Sequence, residues 1–200
     1  MKTLALTAAL LTAAACLPAW GQATTDPAKV PDGSYKVEPY HTRILFAVNH
    51  MGFSTYFGDF TGASGSLTLA PKAAADTLDV SVPTASVSTT NAKLDGELKA
   101  PDWFDAAKYP AITFKSTKVT KTGAATAKVT GDLTLHGVTQ PMTLSVKFHG
   151  AGVNPLDKAY TVGFDATGTL KRTAFGVSKY VPLIGDEVQV TISGAFEKQG

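Results

Sequence analysis

The residues with the most chemistry to offer are four histidines and one late arginine. His41, His50, His136 and His149 are spaced without any H-x-H or H-x-x-x-H pair, so no two imidazoles are aimed at one metal ion by local geometry. His41 and His50 lie nine residues apart, so on one continuous strand they face opposite sides. Gly62-Ala63-Ser64-Gly65-Ser66 lacks the final glycine of a nucleophile elbow, and no glycine-rich phosphate loop precedes a helix. His50 shares parity with Ile44, Phe46 and Val48. It reads either as a core histidine satisfied by a backbone carbonyl or as a polar anchor at the mouth of an apolar cavity. Arg172 follows a strand ending at Leu170 and reads either as a solvated charge or as a clamp on an anionic head group. His136-Gly137-Val138-Thr139 reads as a turn.

The elements that must position these groups are strands. Val129, Gly131, Leu133 and Leu135 share one face, and so do Met142, Leu144, Val146 and Phe148, with Thr143, Ser145 and Lys147 opposite. Tyr160, Val162, Phe164, Ala166, Gly168 and Leu170 alternate with Thr161, Asp165, Thr167, Thr169 and Lys171. Val188, Val190, Ile192 and Phe196 repeat the pattern, as do Leu78, Val80 and Val82. One apolar and one polar face per strand suits antiparallel sheet. About eight such strands joined by turn signals predict an all-β barrel or sandwich, with the barrel favoured because closure removes exposed edges. An outer-membrane barrel also alternates, but the charges opposite the apolar faces and the lack of aromatic girdles favour a barrel with its apolar side inward.

One stretch breaks the period. Asn91 can cap a short helix carrying Leu94 and Leu98, ended near Pro101 and followed by Trp103 and Phe104. This insert either closes one end of the barrel or packs outside it. Gly65, Gly131, Gly168 and Gly194 fall among the inward positions, where small residues leave space for a tubular cavity or relieve crowding at corners.

Composition excludes other classes. The 200 residues are 44% hydrophobic and 17% charged, which is one domain with material for a core. The 18 Lys+Arg against 16 Asp+Glu leave a net charge of +2 with no basic run among aromatics, so no nucleic-acid partner is expected. Lys2 followed by an apolar run from Leu4 to Ala15, with small residues at Ala19 and Gly21, predicts a cleaved signal peptide over residues 1–21. Residues 22–33 read as a leader and 34–200 as a single domain. Cleavage removes Cys16, the one cysteine, so stability rests on packing; the alternative is a lipoprotein anchored through Cys16. No second apolar segment reaches spanning length.

Several stretches resemble one family. Tyr35-Lys36-Val37-Glu38-Pro39-Tyr40-His41-Thr42-Arg43-Ile44 through Asn49-His50-Met51-Gly52-Phe53, then Gly58-Asp59-Phe60, is similar to the opening of the YceI-like lipid/polyisoprenoid-binding proteins. Asp102-Trp103-Phe104-Asp105 with Lys108-Tyr109-Pro110 resembles the family's middle motif, and Gly131-Asp132-Leu133-Thr134-Leu135-His136-Gly137 its hairpin. Arg172, Phe175-Gly176 and Gly185-Asp186-Glu187-Val188 match its close. The resemblance spans about residues 34–197. It implies a lipocalin-like extended antiparallel barrel, exported to the periplasm, that holds a long lipid such as a polyprenyl diphosphate or ubiquinone. His41, His50, Trp103, Phe104 and Arg172 are the matching positions. Two positions depart from the pattern, Glu97 where histidine is common and Thr42 where serine is usual. Glu97 near a mouth would disfavour an anionic diphosphate.

The expectation is therefore a carrier or store for a long apolar lipid, with Ile44, Phe46, Val48, His50, Trp103, Phe104, Leu133, Leu144, Phe164, Arg172 and His41 as ligand contacts. No catalytic residue, metal or further cofactor is expected. A hydrolase or proton-transfer enzyme using His50, and a packed barrel without ligand, are the alternatives. Transient membrane contact and a homodimer complete the expected partnerships.

Overall fold

Alternating side chains build ten strands in one antiparallel sheet: β1 (Gly33–Val37), β2 (Arg43–His50), β3 (Ser54–Phe60), β4 (Ser64–Leu69), β5 (Thr77–Pro83), β6 (Ala111–Lys121), β7 (Thr126–Leu135), β8 (Val138–Val153), β9 (Tyr160–Lys171) and β10 (Ile184–Lys198). These are the strands of a computed structural model that describes residues 23–200. The signal peptide expected over 1–21 and the Cys16 alternative lie outside the described residues.

β10 pairs with β9 along its length and on its other side with β2 and then β1. β1 continues to β4 and β2 to β3, so β1 with β2, and β3 with β4, act as two long bent staves. With β5 to β10 they close an eight-strand barrel, as the one-sided strands predict. Closure settles the choice between barrel and sandwich, since every strand except β3 finds strand partners on both sides.

The bend between β1 and β2 is built locally. Glu38 accepts from the amides of Tyr40 (3.0 Å) and His41 (2.8 Å), and its own amide donates to the Ala195 carbonyl. Thr42 is buried, and its Oγ1 accepts from the Ala195 amide at 3.0 Å where the ladder is interrupted. The hydroxyl thus replaces a strand bond.

Past the bend β3 has no second strand neighbour, and the gap is filled by the chain between β5 and β6. Asp59 and Ser88 exchange backbone hydrogen bonds there, at 2.8 and 2.9 Å. Helix α1 (Ala92–Lys99) follows, with the Asn91 side chain accepting from the Lys93 and Leu94 amides, the cap expected from the sequence. Asp95 fixes the entry by accepting from the Thr89 amide and hydroxyl. Leu98, Trp103 and Val177 pack with Phe60, Ala63 and Val82, so the insert closes the side of the barrel. The opposite end is floored by Tyr35, Phe148, Ala151 and Val162, beneath the edge-to-face rings of Phe164 and Phe196. Residues 24–32 lie against that floor, with Thr24 paired to Ala151 and the Tyr35 hydroxyl donating to the Pro31 carbonyl.

The inward glycines behave differently from the expectation of free space. A Cβ at Gly131 would lie 2.6 Å from the Phe114 ring, and one at Gly168 2.6 Å from Met142. Neighbouring side chains fold over these positions, so the glycines admit core side chains, a ring at Gly131 and aliphatic groups at Gly168. Gly65 answers a backbone need, with φ +137° and the Asp79 carbonyl where a methyl group would otherwise stand. Of the four, Gly194 borders open space.

Candidate functional site

The interior is hollow. A cavity of about 530 Å³ runs between the α1 end and the aromatic floor, bordered by inward positions of the long strands. Ile44, Phe46 and Val48 of β2, Leu133 of β7, Leu144 of β8 and Phe164 of β9 all line it, as their parity requires. Val188, Val190 and Ile192 of β10 and Leu78, Val80 and Val82 of β5 complete the wall. Leu94 and Leu98 of α1, with Trp103 and Phe104, cover one side.

Polar groups gather at the ends. At the α1 end the lining includes His50, Tyr56, Glu97, Arg172 and Tyr180, and Glu97, Met51 and Tyr180 are also exposed, which marks the mouth. The His50 ring lies 6.1 Å from that of Tyr56, and its nitrogens have no hydrogen-bond partner among the described residues. The reading of a core histidine tied to a carbonyl therefore gives way to a ring facing the cavity. At the far end Asp76 borders the cavity; burial pushes its carboxyl up, against the Ala70 amide that donates to it at 2.8 Å.

Arg172 is neither solvated nor a free clamp. It is 5% exposed, and its Nε, Nη1 and Nη2 donate to the carbonyls of Gly185 (2.8 Å), Val177 (2.9 Å) and Ile184 (2.8 Å). A guanidinium has five N–H groups, so two remain uncommitted. Its charge stands 5.5 Å from the centre of the Trp103 ring, and burial lowers its pKa from the ordinary value while Asp186 opposes the shift. Trp103 itself carries the one buried side-chain donor without a partner among the described residues, Nε1. Lys179 pairs with Asp102 beside the mouth, and that contact holds its ammonium above the ordinary range.

His41 is the one expected contact that the fold does not bring to the cavity. It sits on the surface at the β1–β2 bend, its Nδ1 2.8 Å from the Glu38 carboxylate. The strand is interrupted between Val37 and Arg43, so its side chain belongs to the bend and not to either barrel face. His136 occupies its expected turn, with Nδ1 3.1 Å from the Phe175 carbonyl and its ring against Tyr109. His149 pairs with Asp165 on the outer face. Among the described residues no cluster of three His, Cys, Asp or Glu could hold a metal ion, and no helix is long and apolar enough to cross a membrane.

Met51, Tyr56, Tyr180 and Ile184 line the mouth without having been singled out by sequence. Ile184 pairs with His50 across β10 and β2, and the register shift before Val188 adds two residues, so Ile184 keeps the inward parity of Val188.

Known proteins are similar to this chain in sequence and fold. A protein of Pseudomonas syringae pv. tomato named UPF0312 is 37% identical over 163 residues, covering 80% of this chain and 84% of that protein. Protein YceI of Escherichia coli is 38% identical over 162 residues, again 80% and 84%. Among solved structures, BcnA of Burkholderia cenocepacia superimposes with a TM-score of 0.72 at 27% identity, over 80% of this chain and 98% of that one. A Saccharophagus degradans domain described as polyisoprenoid-binding shares the fold, with a TM-score of 0.63 at 14% identity over 82% and 98%. The YceI-like domain model matches residues 35–196, the span that builds both the barrel and its cavity, and the chain belongs to the YceI-like family.

Proposed function

We propose that this protein holds a long apolar lipid inside its barrel and acts as a periplasmic carrier or store. The ligand class is a polyisoprenoid, an isoprenoid quinone or a related amphiphile. The observation that carries the reading is the cavity, whose wall is aliphatic and aromatic along its length while polar side chains concentrate at its ends. The description of a domain of the same fold as polyisoprenoid-binding supports it.

The physics of such a site is simple. An apolar chain leaving water is stabilised by roughly 0.8 kcal/mol per methylene, so about twelve methylenes contribute on the order of 10 kcal/mol before the costs of association. Affinity comes from the wall, and discrimination from the groups around the mouth. There the two uncommitted N–H groups of Arg172 favour an acceptor-bearing head, while Glu97 opposes a strongly anionic one.

Native mass spectrometry of the exported protein, followed by organic extraction, tests this reading. A co-purifying prenyl lipid or quinone is expected. A bare polypeptide mass that persists after incubation with such lipids would replace the carrier with an empty structural barrel.

A further inference from the structure

Four apolar side chains stand out into solvent at the mouth: Phe53 (88% exposed), Leu183 (60%), Tyr180 (57%) and Met51 (47%). They belong to two turns, one between β2 and β3 and one ahead of β10, joined by the Met51 amide donating to the Leu183 carbonyl at 2.8 Å. Met51 and Tyr180 also line the cavity. The exposed apolar rim and the cavity wall are therefore one continuous surface, and exposed apolar surface of this kind marks a contact site.

The backbone holds these residues outward at a cost. Met51 has φ 56° and Tyr180 φ 61°, the left-handed region in which glycine or asparagine sits more easily. Large side chains occupy both positions.

Charge decides what the rim fits. Residues 48–58 contain no Lys, Arg, Asp or Glu, and residues 176–185 contain Lys179 as their one charge. Neither turn carries an acidic group of its own, and Lys179 is neutralised by Asp102 with Glu97 exposed nearby, so the rim presents apolar and aromatic side chains without an uncompensated charge. That combination complements the interface of a phospholipid bilayer, where rings and aliphatic chains enter the headgroup boundary, and its continuity with the cavity wall gives a lipid an apolar path inward. A second copy seated on the same rim would instead cover the mouth.

We infer that the rim formed by Met51, Phe53, Tyr180 and Leu183 docks on a phospholipid membrane surface, so that lipid passes between bilayer and cavity without crossing water. The inference rests on the lipid-binding reading above. It adds where the ligand enters.

The test uses the exported full-length protein and vesicles of phosphatidylethanolamine and phosphatidylglycerol carrying nonaprenol. The wild type is expected to co-sediment with the vesicles and to take up nonaprenol at a rate that rises with vesicle concentration. F53S/L183S is expected to lose vesicle binding and uptake by about tenfold or more, while loading normally when nonaprenol is added from ethanol. F53W supplies a second readout, an emission that shifts to the blue and is quenched by brominated phospholipid. Vesicle-independent uptake, or equal uptake by wild type and F53S/L183S, overturns the proposal. So does a dimer in ultracentrifugation that dissociates in F53S/L183S while neither protein binds vesicles. A protein that binds vesicles through Phe53 but takes up nonaprenol by neither route keeps the docking surface and loses the carrier reading.

Discussion

The Arg172 guanidinium lies 5.5 Å from the centre of the Trp103 ring, and both residues are buried at the cavity wall. One belongs to the turn after β9 and the other to the segment after α1, so this contact joins the insert to the loop that ends at β10. The same guanidinium serves one carbonyl of that loop and the first two of β10. The mouth is therefore set by a buried cation that is satisfied by backbone and covered by an aromatic face.

Removing that cation loosens the mouth. Arg172→Ala leaves the Val177, Ile184 and Gly185 carbonyls without their donor and is expected to destabilise the protein by about 3 kcal/mol or more in urea unfolding. Arg172→Lys keeps the charge but not the planar fork, and recovers less than half of the loss.

Filling the cavity separates binding from folding. Val48→Trp or Leu144→Trp projects an indole into the open space bordered by both residues. Lipid recovered per protein is expected to fall severalfold, with a change in unfolding free energy below about 1.5 kcal/mol. Full lipid occupancy in a folded variant would place the ligand elsewhere.

Two glycine substitutions are expected to act with opposite signs. A methyl at Gly58 would overlap the Phe46 ring and lie 2.9 Å from the Ser88 carbonyl, so Gly58→Ala costs about 1–3 kcal/mol. Gly96 lies within α1 with nothing near its would-be Cβ, so Gly96→Ala stabilises by about 0.5–1 kcal/mol. Thermal denaturation of the two variants reads both signs.

Asp186 gives a defined acid response. The Thr173 amide, and then its hydroxyl, hold the Asp186 carboxyl below its ordinary value, each donating at 2.9 Å. A depressed carboxyl contributes stability above its unfolded pKa of about 4, and that contribution is lost as pH falls through the lower folded value. Asp186→Asn should therefore narrow the difference in denaturant midpoint between neutral pH and about pH 3. An unchanged difference would assign the acid response to other carboxylates.

The sequence is legible where its period is unbroken. Val129 to Leu135 and Met142 to Phe148 face inward as their alternation requires, and Asn91 caps α1. Bulges hide the rest. The register shifts between Ser116 and Lys118 and between Phe148 and Gly150 change parity within a strand; Gly150 is a signal for the second, and no residue type signals the first. His41 escapes the pattern because parity holds only on a continuous strand, and the Glu38 cap interrupts it. The partners of Arg172 lie up to thirteen residues away along an irregular loop, which no local pattern encodes. The inward glycines fall where alternation puts them, but which side chain covers them depends on neighbours across the sheet.

Strand β10 joins both halves of the bent β1–β2 stave to β9, pairing Tyr35 with Lys198 and Ile44 with Ile192. These partners are far apart in sequence, which gives the fold a high contact order and a correspondingly slow route to closure. Strand β10 must be in place before the barrel can shut. Without β10, β1 can pair only with β4 and β2 only with β3, so the barrel stays open along the seam to β9.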